Sequence, residues 1–235
     1  MSEILERVSP ESRDLNFENH CKVYQFFRDS VSGGRVLDVG CGMGYGSEIL
    51  SQGSLDDYQG IDYSADAVAY AKEYYGHLGA FTQMDAHQLN FEDNAFDWVI
   101  SSENLEHLAD PEKALEEKAR VLKPDGIALI GTPNKEMFSA GETGSPNPYH
   151  IDEFYYADLL RLAYHAFESV LIFENTMVSP SPLGRDMRSS RARNGSHGVL
   201  HNSQGTVQFD RHSFNLDTLE NTHSFMVLAA QPRPL

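Results

Sequence analysis

The chain is short of the residues that several function classes require. Its 235 residues include two cysteines, Cys21 and Cys41, and a single tryptophan. Two cysteines cannot build the disulfide framework of a small secreted domain, so a reducing compartment, the cytoplasm, is the expected setting. Cations are scarce as well: 18 Lys and Arg stand against 35 Asp and Glu, a formal charge of -17. A surface of that sign repels phosphate backbones and anionic lipid, which counts against nucleic acid or a membrane as the main partner without excluding a local patch, and no membrane partner is expected. No stretch approaches the ~18 apolar residues of a membrane span. Residues 1–12 alternate charge without the apolar core of a signal peptide, and none is expected. The dinucleotide fingerprint Gly-x-Gly-x-x-Gly is missing too. Counted from Gly40 its last position falls on Tyr45, and from Gly42 on Ser47.

What stands in its place is Asp38-x-Gly40-x-Gly42-x-Gly44-x-Gly46, directly after an apolar run of Val36, Leu37 and Val39. The run reads as a buried parallel strand, and a helix pattern follows the glycines. Glycines at every second position strip Cβ atoms from a strand-to-helix turn, so that a ligand can lie against bare backbone. A carboxylate two residues before the first glycine suits a ligand with an ammonium and a sulfonium, not a pyrophosphate.

Strand and helix signals then alternate, which predicts a parallel sheet covered on both faces by helices. A helical lead-in, with Val23, Phe26 and Phe27 at helical spacing, fills residues 1–33. Strands are expected at 58–62, 80–84, 96–101, 127–130, 169–173 and 224–230, and helices at 44–51, 64–75, 111–122 and 152–167. Ser64 and Asp110 are the expected caps, with Pro111 in the first helical position. Pro124-Asp125-Gly126 reads as a turn. Residues 179–215 lose all periodicity and read as a long loop or lid within one domain spanning 1–235. Arg185, Arg188, Arg191 and Arg193 fall there. They could grip an anionic acceptor, or form a solvated loop pairing loosely with the acidic body.

The glycine motif, Phe96-Asp-Trp-Val-Ile-Ser-Ser-Glu-Asn-Leu-Glu-His-Leu, Ala119-Arg-Val-Leu-Lys-Pro-Asp-Gly and Thr132-Pro-Asn134 follow one another at a recognisable spacing. In that order they resemble the class I S-adenosylmethionine-dependent methyltransferases, small-molecule type, over roughly residues 20–175 and the closing strand. The resemblance implies a Rossmann-like fold with a seven-stranded mixed sheet in the order 3-2-1-4-5-7-6, its last strand antiparallel. It implies S-adenosylmethionine as cofactor, lying across the carboxyl ends of the first three strands. Asp38 and the backbone of Gly40, Cys41, Gly42 and Gly44 would then hold the methionine end. Asp62, 22 residues after Gly40, would accept the ribose hydroxyls, with Tyr63 beside it. Asp85 would receive the adenine amino group, the Ala86 amide would face the ring, and Ser102 would complete the contacts. Tyr24, in His20-Cys-Lys-Val-Tyr24, is a cofactor contact by the same resemblance, although Val23 stands where the family often has an arginine.

His107 and His150 are the expected catalytic residues on the acceptor side, His150 as general base for a hydroxyl. Glu103, Glu106 and His107 share one side of a helical turn. With His150 they resemble the divalent-cation site of small-RNA ribose methyltransferases and some ubiquinone-pathway O-methyltransferases. The Glu-His-Leu segment is equally widespread without metal, and a metal is the less favoured reading. The expected activity is methyl transfer to a hydroxyl of a small metabolite: a sugar, a phenol or a natural product. The rivals are N-methylation of a small amine, metal-dependent 2′-O-methylation of RNA, a non-catalytic cofactor-binding partner and a nicotinamide-dependent oxidoreductase.

Overall fold

A computed structural model of the chain describes residues 8–138, 147–174, 197–202, 205–210 and 224–232. Asp14 accepts a hydrogen bond from the Phe17 amide at 2.9 Å, capping α1 (Leu15–Ser30). α1 buries Val23, Tyr24, Phe26 and Phe27. β1 (Arg35–Val39), α2 (Tyr45–Leu50), β2 (Asp57–Asp62), α3 (Ala65–Tyr75) and β3 (Ala80–Gln83) follow in βα alternation. Then come β4 (Phe96–Ser102), a 3-10 turn (Leu105–His107), α4 (Pro111–Val121), β5 (Leu122–Pro133) and a short α5 (Lys135–Phe138). α6 (Tyr156–Ala166), β6 (Phe167–Glu174), β7 (His197–Asn202), β8 (Gly205–Asp210) and β9 (Ser224–Pro232) complete it.

Seven strands form one sheet in the order β3-β2-β1-β4-β5-β9-β6. β9 is the seventh strand of this sheet, so the order is the expected one. The pairs from β3 to β5 are parallel, and β9 runs antiparallel to both β5 and β6. Because side chains alternate along a strand, each strand feeds two apolar layers. Leu37, Val39, Val99, Val227 and Ala229 pack with α4 and α6. Val36, Ile100, Met226 and Leu228 pack with α1 and α3. Asp38 points into this second layer and is fully buried.

Three local expectations change. Pro124-Asp125-Gly126 is not a free turn but an irregularity inside β5, where Phe96 pairs with Leu122 while Trp98 already pairs with Ile127. The late helix begins at Tyr156, not near residue 152. The Ile151 and Asp152 amides are committed to the Glu106 carbonyl at 2.8 and 3.2 Å, which holds residues 147–155 as a strap beside the 3-10 turn. Within the stretch expected as loop, β7 and β8 pair as an antiparallel hairpin. Val199, Leu200, Val207 and Phe209 carry enough β-propensity for it, a signal diluted in the sequence by surrounding Ser, Gly and Arg. The four loop arginines lie outside the described residues. No described helix is long and apolar enough to cross a membrane.

Candidate functional site

Strand β1 ends at Val39, and the chain turns through Gly40 and Gly44, each at φ +82. That left-handed region strains any residue with a Cβ. At Gly40 a Cβ would also stand 2.5 Å from the Asn104 side chain, and at Gly44 it would stand 2.7 Å from the Cβ of Ala71. The bend is strapped to the end of β2: the Gly40 and Cys41 amides each donate to the Ile61 carbonyl at 2.9 Å. The Gly42 amide donates to Asp62 Oδ2 at 2.9 Å, and the Ser64 amide to Asp62 Oδ1 at 2.9 Å. Backbone amides thus aim both oxygens of the expected ribose ligand.

A cleft of about 550 Å³ opens over this bend. Most of the expected site residues meet there: Tyr24, Gly40, Cys41, Gly42, Asp62 and Tyr63 line the glycine end, and Asp85, Ala86 and Ser102 continue it. Glu103, Glu106, His107 and His150 line the same cleft. Asp38 and Gly44 do not reach the lining. Gly44 serves as the N-terminal cap of α2. Asp38 lies beneath the bend, its Oδ2 accepting from the Tyr24 and Tyr58 hydroxyls at 3.0 and 2.7 Å. Its Oδ1 is buried with no hydrogen-bond partner among the described residues. Burial raises the Asp38 carboxyl to about 7, against the two tyrosine bonds, which lower it.

Asp85 accepts from the His87 amide at 2.8 Å and pairs with His87 Nδ1 at 2.6 Å, bonds that hold its carboxyl below the usual range. The Asp110 amide donates to His87 Nε2 at 3.3 Å, so the ring proton sits on Nδ1 and is given to Asp85. One expected adenine ligand is therefore tied to the cap of α4.

At the other end, Glu106 is buried, and its Oε2 accepts from the Thr132 hydroxyl at 2.9 Å. Among the described residues its Oε1 has no hydrogen-bond partner, and it lies 3.7 Å from His107 Nε2. Burial first, and then the charge of Glu103, push the Glu106 carboxyl well above its ordinary value. His107 donates from Nδ1 to the Tyr149 carbonyl at 3.1 Å. His150 Nδ1 lies 2.7 Å from Glu153 Oε1, both side chains almost wholly enclosed, and the two imidazoles meet edge to face at 4.9 Å. One donor atom each from Glu106, His107 and His150 lies within 4.8 Å of the other two. Glu103, the fourth expected cation ligand, is not part of that trio.

Residues 37–130 match the methyltransferase-domain family. A Mycolicibacterium smegmatis protein named among the S-adenosylmethionine-dependent methyltransferases is 33% identical over 159 residues, covering 67% of this chain and 61% of its own length. The chain belongs to the class I S-adenosylmethionine-dependent methyltransferases. It spans about three fifths of the curated relatives it matches first, 61% and 59%. A methyltransferase structure from Archaeoglobus fulgidus superposes with a TM-score of 0.64, covering 95% of this chain and 96% of that one at 17% identity, which speaks for the fold alone. The structure of a [4+2]-cyclase, SpnF, is 29% identical over 67% of this chain and 60% of its own, with a TM-score of 0.57. The methyltransferase fold is therefore shared with a protein named for another reaction.

Several lining residues of this class I chain were not singled out from the sequence as site residues. His20 and Asn16 stand about one and two turns before Tyr24 on α1 and line the same cleft. Their spacing from Tyr24 was the available signal. Tyr45 and Asn104 also line the cleft, and Glu153 supports it from behind His150. The available signal for Glu153 was its place three residues after His150, in His150-Ile-Asp-Glu153.

Proposed function

We propose that this chain transfers a methyl group from S-adenosylmethionine to a hydroxyl of a small metabolite, a sugar, phenol or natural product. The cleft fits the donor in three respects. Its volume lies in the ordinary range of ligand sites. Its floor at Gly40 has no room for a side chain. Its described lining carries Asp62, Asp85, Glu103 and Glu106 but no lysine or arginine, which suits a cationic ligand. When bound, S-adenosylmethionine supplies an electrophilic methyl on a sulfonium. The protein's part is to align the two reactants and to take a proton from the acceptor. Asp62 and the Gly40–Gly42 backbone would hold the tail and ribose, and Asp85 and the Ala86 amide the adenine.

The observation that carries a hydroxyl acceptor is the His150–Glu153 pair at 2.7 Å. A carboxylate accepting the Nδ1 proton fixes the tautomer and makes Nε2 the basic nitrogen, while stabilising the imidazolium that forms on proton uptake. An amine acceptor arriving neutral needs no such pair. A second reading rests on the convergence of Glu106, His107 and His150. The buried Glu106 Oε1, which has no hydrogen-bond partner among the described residues, and two imidazoles, each backed through Nδ1, are a donor set that fits a divalent cation. Such an ion would lower the pKa of the acceptor hydroxyl.

The test uses the purified chain, a metabolite extract and isotopically labelled methyl donor, with products identified by mass spectrometry. Label on an oxygen is expected, with kcat for the captured acceptor falling about 10²–10⁴-fold in His150→Ala. Label on nitrogen, or no transfer by a protein that binds S-adenosylhomocysteine, would contradict it. Activity abolished by chelation and restored by a divalent ion would favour the second reading.

A further inference from the structure

We infer that the acceptor is an uncharged phenol, a hydroxyl on an apolar ring, and that Ile151 at the rim of the cleft selects it. This rests on the reading that the chain methylates a hydroxyl, and it narrows that reading to one substrate class. Charge disfavours one group of acceptors. Glu103 and Glu106 line the cleft, and no lysine or arginine belongs to its described lining. An acceptor bearing a carboxylate, phosphate or sulfate would meet these acidic groups with no cation to offset them.

The surfaces next to the two histidines are apolar. Leu108 follows His107 and Ile151 follows His150 in the chain, and Pro133 follows Thr132, whose hydroxyl bonds Glu106. Leu108, Pro133 and Ile151 all line the cleft. Ile151 is 62% exposed despite its large apolar side chain. The segment that carries it is fastened on both sides. His107 Nδ1 donates to the Tyr149 carbonyl at 3.1 Å, and the Ile151 amide donates to the Glu106 carbonyl at 2.8 Å. Further on, the Lys135 amide donates to the Phe154 carbonyl at 3.1 Å, and Lys135 Nζ pairs with Asp152 at 3.1 Å. A side chain held at a rim with apolar surface in water gains from a ligand that covers it. A sugar covers it badly, because hydroxyls around its ring would lose water without finding partners on Leu108, Pro133 or Ile151. Proton transfer favours the same class. A phenol O–H titrates at about 10, whereas an alkyl hydroxyl lies closer to water at about 15.7. The phenol leaves an imidazole base the smaller gap to cross.

Labelled methyl transfer by the full chain tests this with 4-alkylphenols from methyl to butyl, 4-hydroxybenzoate and methyl glucoside as acceptors. In the wild type kcat/KM is expected to rise about 2–4-fold per added methylene. The benzoate and the glucoside should fall at least about 10-fold below 4-methylphenol. Ile151→Ser should flatten the rise to less than about 1.5-fold per methylene, and Ile151→Leu should keep it. Neither change should alter affinity for S-adenosylhomocysteine. Equal slopes in wild type and Ile151→Ser, preference for the glucoside or the benzoate, or no transfer to any phenol would overturn the assignment. Label from a metabolite extract found on nitrogen and never on oxygen would instead overturn the hydroxyl reading beneath it.

Discussion

At the glycine end of the cleft the walls are backbone: the Gly40, Cys41 and Gly42 amides are bonded to the end of β2, about one strand spacing away. At the histidine end they are side chains, with His107 and His150 brought together from positions 43 residues apart and each held through Nδ1 by the strap that follows β5. The first end is rigid because atoms are missing where a Cβ would collide. The second is organised because buried charges and imidazoles constrain one another. The two should therefore fail differently: steric change should abolish donor binding, and charge change should alter turnover and pH response.

The largest effect is expected at Gly40. Gly40→Val adds a side chain at φ +82 against Asn104, and S-adenosylhomocysteine affinity should fall more than about 100-fold. Adding Asn104→Ala should return only part of it, because the backbone strain remains. Titration calorimetry reads both, and full recovery in the double variant would locate the cost in the collision alone. Next comes Glu153→Gln, which should lower kcat about 10-fold or more while leaving donor affinity unchanged. An equal loss in both would blur the contrast between the two ends.

Asp38 gives a smaller effect with a defined sign. Its folded value of about 7 lies above the unfolded 3.8. The unfolded chain therefore releases this proton first, and the stability linked to it declines as pH rises from about 4 to about 7. Asp38→Asn keeps an acceptor oxygen for Tyr24 and Tyr58 but does not titrate. Its Tm should exceed that of the wild type at pH 8 and approach it near pH 4. Lys118 runs the other way. It is buried on α4, its Nζ has no hydrogen-bond partner among the described residues, and burial lowers it from 10.5 to about 7. Wild-type stability linked to Lys118 is present above pH 10.5 and falls as pH drops toward 7. Lys118→Met should raise stability at pH 7 by roughly 1–3 kcal/mol, or about 2–4 °C in Tm per kcal/mol, with no change in donor affinity.

The contrast also explains what could be read from the residues alone. Strand order, the glycine bend and the caps at Ser64 and Asp110 follow from local periodicity, spacing and a family resemblance, and the fold agrees with them. Pro124-Asp125-Gly126 misled because turn residues inside a long strand produce a bulge, not a reversal. The hairpin of β7 and β8 was hidden by composition. Asp38 was expected at the ligand and instead supports the bend from beneath, since a strand residue's side must be settled by the sheet. His20 was missed as a site residue because its partner Tyr45 lies across the glycine bend, distant in sequence, whereas Glu153 stands only three residues after His150 and its weight shows once the strap is seen beside the 3-10 turn.

The most direct test is a crystal structure of the full chain with S-adenosylhomocysteine. The expected density places the amino-acid tail over Gly40–Gly42, the ribose at Asp62 and the adenine beside Asp85, with the sulfur facing His107 and His150. A ligand bound elsewhere, or a cleft that stays vacant at saturating ligand while the protein is folded, would contradict the assignment.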